Sequence, residues 1–118
     1  MRENILKQKT YDFALKVISV YKQIVAEHKE YVLSRQFLKA GTAPGALVRE
    51  AEYGQSKADF ISKMSISLKE ANECHYWTCL LRDSDYISKT TSLELLADNE
   101  EIIRMLTASI KTAKANLK

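Results

Sequence analysis

Glu50–Tyr86 reads EAEYGQSKADFISKMSISLKEANECHYWTCLLRDSDY and decides the fold. Ser56 and Asp59, spaced Ser-x-x-Asp beside Gly54, form a helix-start signal, because each side chain can accept a hydrogen bond from a backbone N–H that the first turn leaves open. From there Phe60, Ile61, Met64, Leu68, Ala71, Cys74, Trp77 and Leu81 recur at threes and fours, which lines one face of a long helix.

The same period extends outward in both directions. Phe13, Val17, Val20, Tyr21, Ile24 and Val25 predict a helix over about 10–29, and Val32, Leu33, Phe37, Ala40, Leu47 and Ala51 one over 31–52. After Thr91-x-x-Glu94 the run Leu95, Leu96, Ile102, Ile103, Leu106, Ile110, Ala113 predicts a last helix over 91–115, and the third spans 56–84. No stretch alternates with period two long enough for a sheet. With 1 Pro and 3 Gly the chain has few turn formers, so the expected fold is an all-α, antiparallel up-and-down four-helix bundle occupying residues 1–118 as one domain. At 118 residues such a domain buries roughly two-thirds of its unfolded surface, enough for one core without disulfide or metal.

Ala40–Ala46, AGTAPGA, interrupts the second helix with small residues around Pro44. A proline there removes a backbone donor and crowds the carbonyl of Ala40, so a kink near Pro44 is expected. The small side chains leave a notch into which a bulky neighbour, Trp77 being one candidate, can pack. No strand precedes the glycines and the phosphate-loop pattern is missing, which argues against a nucleotide site.

Residues at catalytic or metal-binding spacing are scarce in this chain. Glu-x-x-His, the ligand spacing of a di-iron bundle, does not occur: Tyr76 follows Glu73 by three, and Val25 precedes His28 by three. Cys74, His75 and Cys79 lack the spacing of a zinc site, and Cys74 and His75, adjacent on a helix, point apart and cannot form a nucleophile–base pair. Cys74 is expected in the core and both histidines at the surface. No catalytic residue, cofactor or metal is assigned, and the chain is expected to be no enzyme. Met1–Thr10 is polar, no apolar run could span a membrane, and two cysteines on one helix facing different ways suit a reducing cytosol, so a cytoplasmic protein is expected.

Charge offers a partner instead. Eighteen basic against fifteen acidic residues give a net charge of +3, too small for a dominant field, but their order is informative. The last helix opens with Glu94, Asp98, Glu100 and Glu101 and closes with Arg104, Lys111, Lys114 and Lys118, which complements the helix dipole. Lys9, Lys16 and Lys22 stand at near-heptad spacing and could form a stripe. Lys9, Lys16, Lys22, Lys111, Lys114 and Lys118 are therefore the candidate nucleic-acid-binding residues, acting on phosphates without reading sequence. Apolar residues are also in surplus: the first helix leaves only a narrow polar face and Ile66 lies opposite Leu68, which points to a second buried surface between identical chains.

Gly41–Ala46, Glu50-Ala51, Gln55–Met64, Ile66, Leu68–Ala71, Glu73, His75-Tyr76-Trp77, Leu80-Leu81 and Asp85-Tyr86-Ile87 together resemble the bacterial four-helix-bundle family of 23S rRNA intervening-sequence proteins. The resemblance implies a cytoplasmic bundle, often assembled as a ring of five chains. The chain is also similar to the accessory proteins of diversity-generating retroelements, which bind nucleic acid and a reverse transcriptase through basic surfaces. It departs from the pattern at Ala43 and Leu47, where relatives tend to carry Ser and Asn, and Lys39 stands where they often have Arg. No functional residue is carried over from that segment. The expected role is a non-enzymatic homo-oligomer, pentameric by resemblance, that accompanies RNA or DNA; the alternative is a protein-interaction scaffold that touches no nucleic acid.

Overall fold

The computed structural model describes residues 2–117, with side chains from Asn4 onward. Four helices follow one another: α1 (Arg2–His28), α2 (Leu33–Glu52), α3 (Lys57–Asp83) and α4 (Lys89–Ala115). Each packs on its neighbour in sequence and α4 returns to α1, while the diagonal pairs do not meet; this is the expected four-helix architecture, 51 × 21 × 20 Å in extent. No strand occurs among the described residues.

The ends are set by local chemistry. Lys29 leaves α1 in the left-handed region (φ 55°), with its N–H on Val25 O. Glu30 then caps α2: its carboxylate accepts from the N–H groups of Val32, Leu33 and Ser34 at 2.8–3.0 Å. Desolvation works against that charge, but the three backbone bonds outweigh it and hold Glu30 below the usual carboxylate range. At α3, Ser56 Oγ accepts from the Asp59 N–H at 3.0 Å and Asp59 Oδ2 reaches back to the Gln55 N–H, the expected capping box displaced by one residue. α3 closes on Asp85 (φ 67°), with Tyr86 N bonding Leu81 O and Asp85 N bonding Arg82 O.

Three boundary expectations are corrected. α1 begins at Arg2 rather than near Thr10, because Leu6 is fully buried and Lys7 pairs with Glu52 of α2 at 2.9 Å. α2 begins at Leu33 rather than at 31, since the Glu30 carboxylate takes the N–H of Val32. α4 starts at Lys89, since Ser88 rather than Thr91 provides the cap, accepting from the Thr91 N–H at 3.0 Å.

α2 runs unbroken through Pro44, whose carbonyl accepts from Ser67 Oγ of α3 at 2.9 Å. The notch beside it is filled by α1, not by Trp77. A Cβ on Gly41 would lie 2.7 Å from both Val17 methyl carbons, and one on Gly45 would lie 3.4 Å from Thr10. Trp77 instead donates to Glu73 on its own helix at 3.1 Å and packs edge-on to Tyr76. The core is mainly apolar, built around Phe13, Val17, Ile24, Phe37, Met64, Leu81, Leu95, Ile102 and Leu106, with Thr10, Ser34, Ser67, Thr78, Ser92 and Ser109 also buried. Asn99 interrupts it: only 1% exposed, its carboxamide has no hydrogen-bond partner among the described residues.

Candidate nucleic-acid interface

An α-helix turns about 100° per residue, so residues seven apart nearly superpose whereas a step of six lands about 120° away. Lys9 and Lys16 accordingly share one side of α1, the side that meets α4, and Lys22 lies on another. The stripe expected from the first helix does not form. Lys9 Nζ lies 2.7 Å from Glu101 and Lys16 Nζ 2.6 Å from Asp98, so both cations are spent across the α1–α4 seam. The hydrogen bond to Asp98 raises the Lys16 pKa; burial works against it, and the charges of Asp98, Glu94 and Asp12 add to the rise. These pairs line a groove of about 360 Å³ with Asp12, Phe13 and Ile102. The lining holds three carboxylates against two lysines, an excess of negative charge that does not suit a phosphate.

Two of the four acids of α4, Asp98 and Glu101, are thereby matched by cations of α1, and Glu100 lies 3.0 Å from His75 Nε2. The basic half has no such partners. Arg104, Lys111 and Lys114 are exposed and make no ion pair among the described residues. Steps of seven and three keep them within a sector of about 80° on α4. Lys57, at the start of α3, donates to Asn116 O at 3.0 Å and adds a fourth cation to the same end of the bundle. Lys118 lies outside the described residues. Of the expected lysines, Lys111 and Lys114 thus stand together on a free surface, Lys22 stands exposed elsewhere, and Lys9 and Lys16 are engaged.

A second basic row, absent from the sequence expectations, lies on α2. Leu33–Arg49 contains no acid, and Arg35, Lys39 and Arg49 fall on one exposed side of α2, Arg49 lying 5.3 Å over the Tyr11 ring. The signal was in the sequence, as an acid-free span with Arg and Lys four apart.

Beside the charges, the outward side of α1 carries Tyr11 and Leu15, each about half exposed, followed by Ile18 and Val25 at helical spacing. Among the described residues no group of three or more His, Cys, Asp and Glu is placed to hold a metal ion, and no helix is long and apolar enough to cross a membrane.

Compared with known proteins, residues 2–108 match the family described as 23S rRNA-intervening sequence protein. Among solved structures, the chain is similar to a protein of unknown function from the S23 ribosomal protein family of Bacteroides thetaiotaomicron. The two share 45% identity with a TM-score of 0.92, over 94% of this chain and 99% of that one. No curated protein matches.

Proposed function

This chain belongs to the 23S rRNA-intervening sequence protein family, and on that premise we propose that it is a non-enzymatic, homo-oligomeric accessory protein of the cytosol that binds RNA or DNA through basic surface. The observation that carries the reading is the partition of charge on α4, where Asp98 and Glu101 are paired with lysines of α1 while Arg104, Lys111 and Lys114 face solvent unpaired. The Arg35–Lys39–Arg49 row supports it. Such surfaces bind phosphates with little choice of sequence, and affinity falls as salt rises because condensed counterions are released.

Fluorescence anisotropy with a structured RNA and a duplex DNA tests it. Binding at low salt should weaken steeply with added salt. Lys111→Glu with Lys114→Glu should weaken it further and flatten the salt slope by about one unit per lost contact. No binding at low salt, or binding indifferent to salt, sinks the proposal.

The apolar row on α1 favours self-association, with five chains the number the resemblance implies. Sedimentation at micromolar concentration should give a single species heavier than the 13.5 kDa monomer, and a monomer alone refutes it. The same row suits the scaffold alternative, in which a reverse transcriptase is the partner that the retroelement resemblance suggests. A pull-down that survives nuclease, from a chain that fails the anisotropy test, would favour the scaffold.

A further inference from the structure

Cys74 and Cys79 share α3 but not their surroundings. Cys74 is fully buried, and burial pushes its thiol up to about 12, which keeps it protonated and sealed. Cys79 is half-buried, with Sγ 3.9 Å from His75 Nδ1 one turn earlier. The far side of the same ring meets α4: Nε2 lies 3.0 Å from Glu100 Oε2. A carboxylate only accepts, so Nε2 carries the hydrogen, and in the neutral ring Nδ1 is the acceptor that faces the sulfur. One turn beyond Cys79, the Arg82 guanidinium, held chiefly by Asp83 at 2.8 Å, also interacts with the Cys79 sulfur. Nucleophile, base and orienting carboxylate are therefore in sequence, with a cation beside the position where a thiolate would form. On α3 the groups facing the sulfur are His75 and Arg82; from α4 it is Glu100, acting through the ring.

We propose that Cys79 is a modification site, a thiol prepared by His75 and Glu100 for exchange with low-molecular-weight disulfides such as glutathione disulfide. The Cys79 proton passes to His75 Nδ1, while Glu100 keeps its hold on Nε2–H. The thiolate attacks one sulfur of the disulfide; a new S–S bond forms to Cys79, the old one breaks, and its electron pair leaves on the second sulfur. That leaving thiolate takes the proton back from His75. Cys79 is oxidised, the departing sulfur is reduced, and no other oxidant is needed. The reaction is stoichiometric, so it sits with a protein that turns nothing over.

The test is incubation of the full chain with glutathione disulfide at neutral pH, read by intact mass and peptide mapping. One glutathione should be gained, at Cys79, with Cys74 left free, and Cys79→Ser should gain none. Cys79 should react at least about tenfold faster in the folded chain than in urea, and His75→Gln, checked for folding by circular dichroism, should remove that advantage. Modification of Cys74 as fast as Cys79, a folded rate no greater than the unfolded one, or a folded His75→Gln chain reacting at the parent rate would each overturn it.

Discussion

Where α1 meets α2, backbones approach so closely that a Cβ on Gly41 would lie 2.7 Å from both Val17 methyl carbons; where α1 meets α4, Lys9 and Lys16 reach across a groove to Glu101 and Asp98. One seam is closed by shape, the other by long charged arms. Close packing gains dispersion and burial that neither salt nor pH can weaken, whereas exposed ion pairs contribute little to stability but decide which charges remain free. The first seam fixes the bundle; the second sorts its surface by matching Asp98 and Glu101 of α4 and leaving the basic end unmatched.

The sharpest way to break this contrast is to fill the tight seam. Gly41→Leu puts a branched side chain where one carbon already collides with Val17, and should cost about 3 kcal/mol, read as a lower urea midpoint at unchanged slope. A cost near zero would mean that the helices separate freely, and the distinction between the seams would fall. Asn99, buried on α4, bears on the other side of the comparison. Its carboxamide lacks a partner among the described residues, so Asn99→Leu should raise stability by about 1–2 kcal/mol. Loss of stability, or a changed oligomer size by sedimentation, would show that the amide has a specifying role.

Periodicity and caps made the fold legible. Ser56 and Asp59 announced α3 because a cap is written within four residues, and the apolar rows announced the core because burial follows the helical repeat. What stayed hidden depended on distant partners. The first ten residues are polar in sequence, and what holds them in α1 lies far along the chain: Lys7 meets Glu52, 45 positions on, and Lys9 meets Glu101, 92 positions on. Lys9, Lys16 and Lys22 stand at near-heptad spacing, but the six-residue step from Lys16 turns Lys22 about 120° away. The four-residue spacing of His75 and Cys79 is enough to make them neighbours on a helix; Glu100 is not legible in the same way, since only the packing of α4 on α3 brings it there.

Gly45 sharpens the comparison from within the tight seam. A Cβ there would stand 3.4 Å from Thr10, an ordinary contact, so Gly45→Ala should keep the packing and stabilise the chain by about 0.5–1 kcal/mol through lost unfolded-state freedom. The same change in the same seam thus has opposite signs four residues apart, and matching thermal shifts at Gly41→Ala and Gly45→Ala would contradict that.

The smallest effect belongs to the charged seam. Lys16 is about half exposed (49%), and pairs of this kind are worth below about 1 kcal/mol, so Lys16→Met should lower stability by no more than that at neutral pH and low salt, and by nothing measurable in 1 M salt. The pH dependence has a fixed sign. Asp98 raises the Lys16 pKa above 10.5, so the folded state binds the proton more tightly than the unfolded one; the contribution is complete below pH 10.5 and disappears as pH rises through the folded-state value. Parent and Lys16→Met should therefore converge in alkali while Gly41→Leu stays apart from both. A Lys16→Met deficit that persists in high salt would mean that the lysine stem packs the seam and that both flanks of α1 are held by shape.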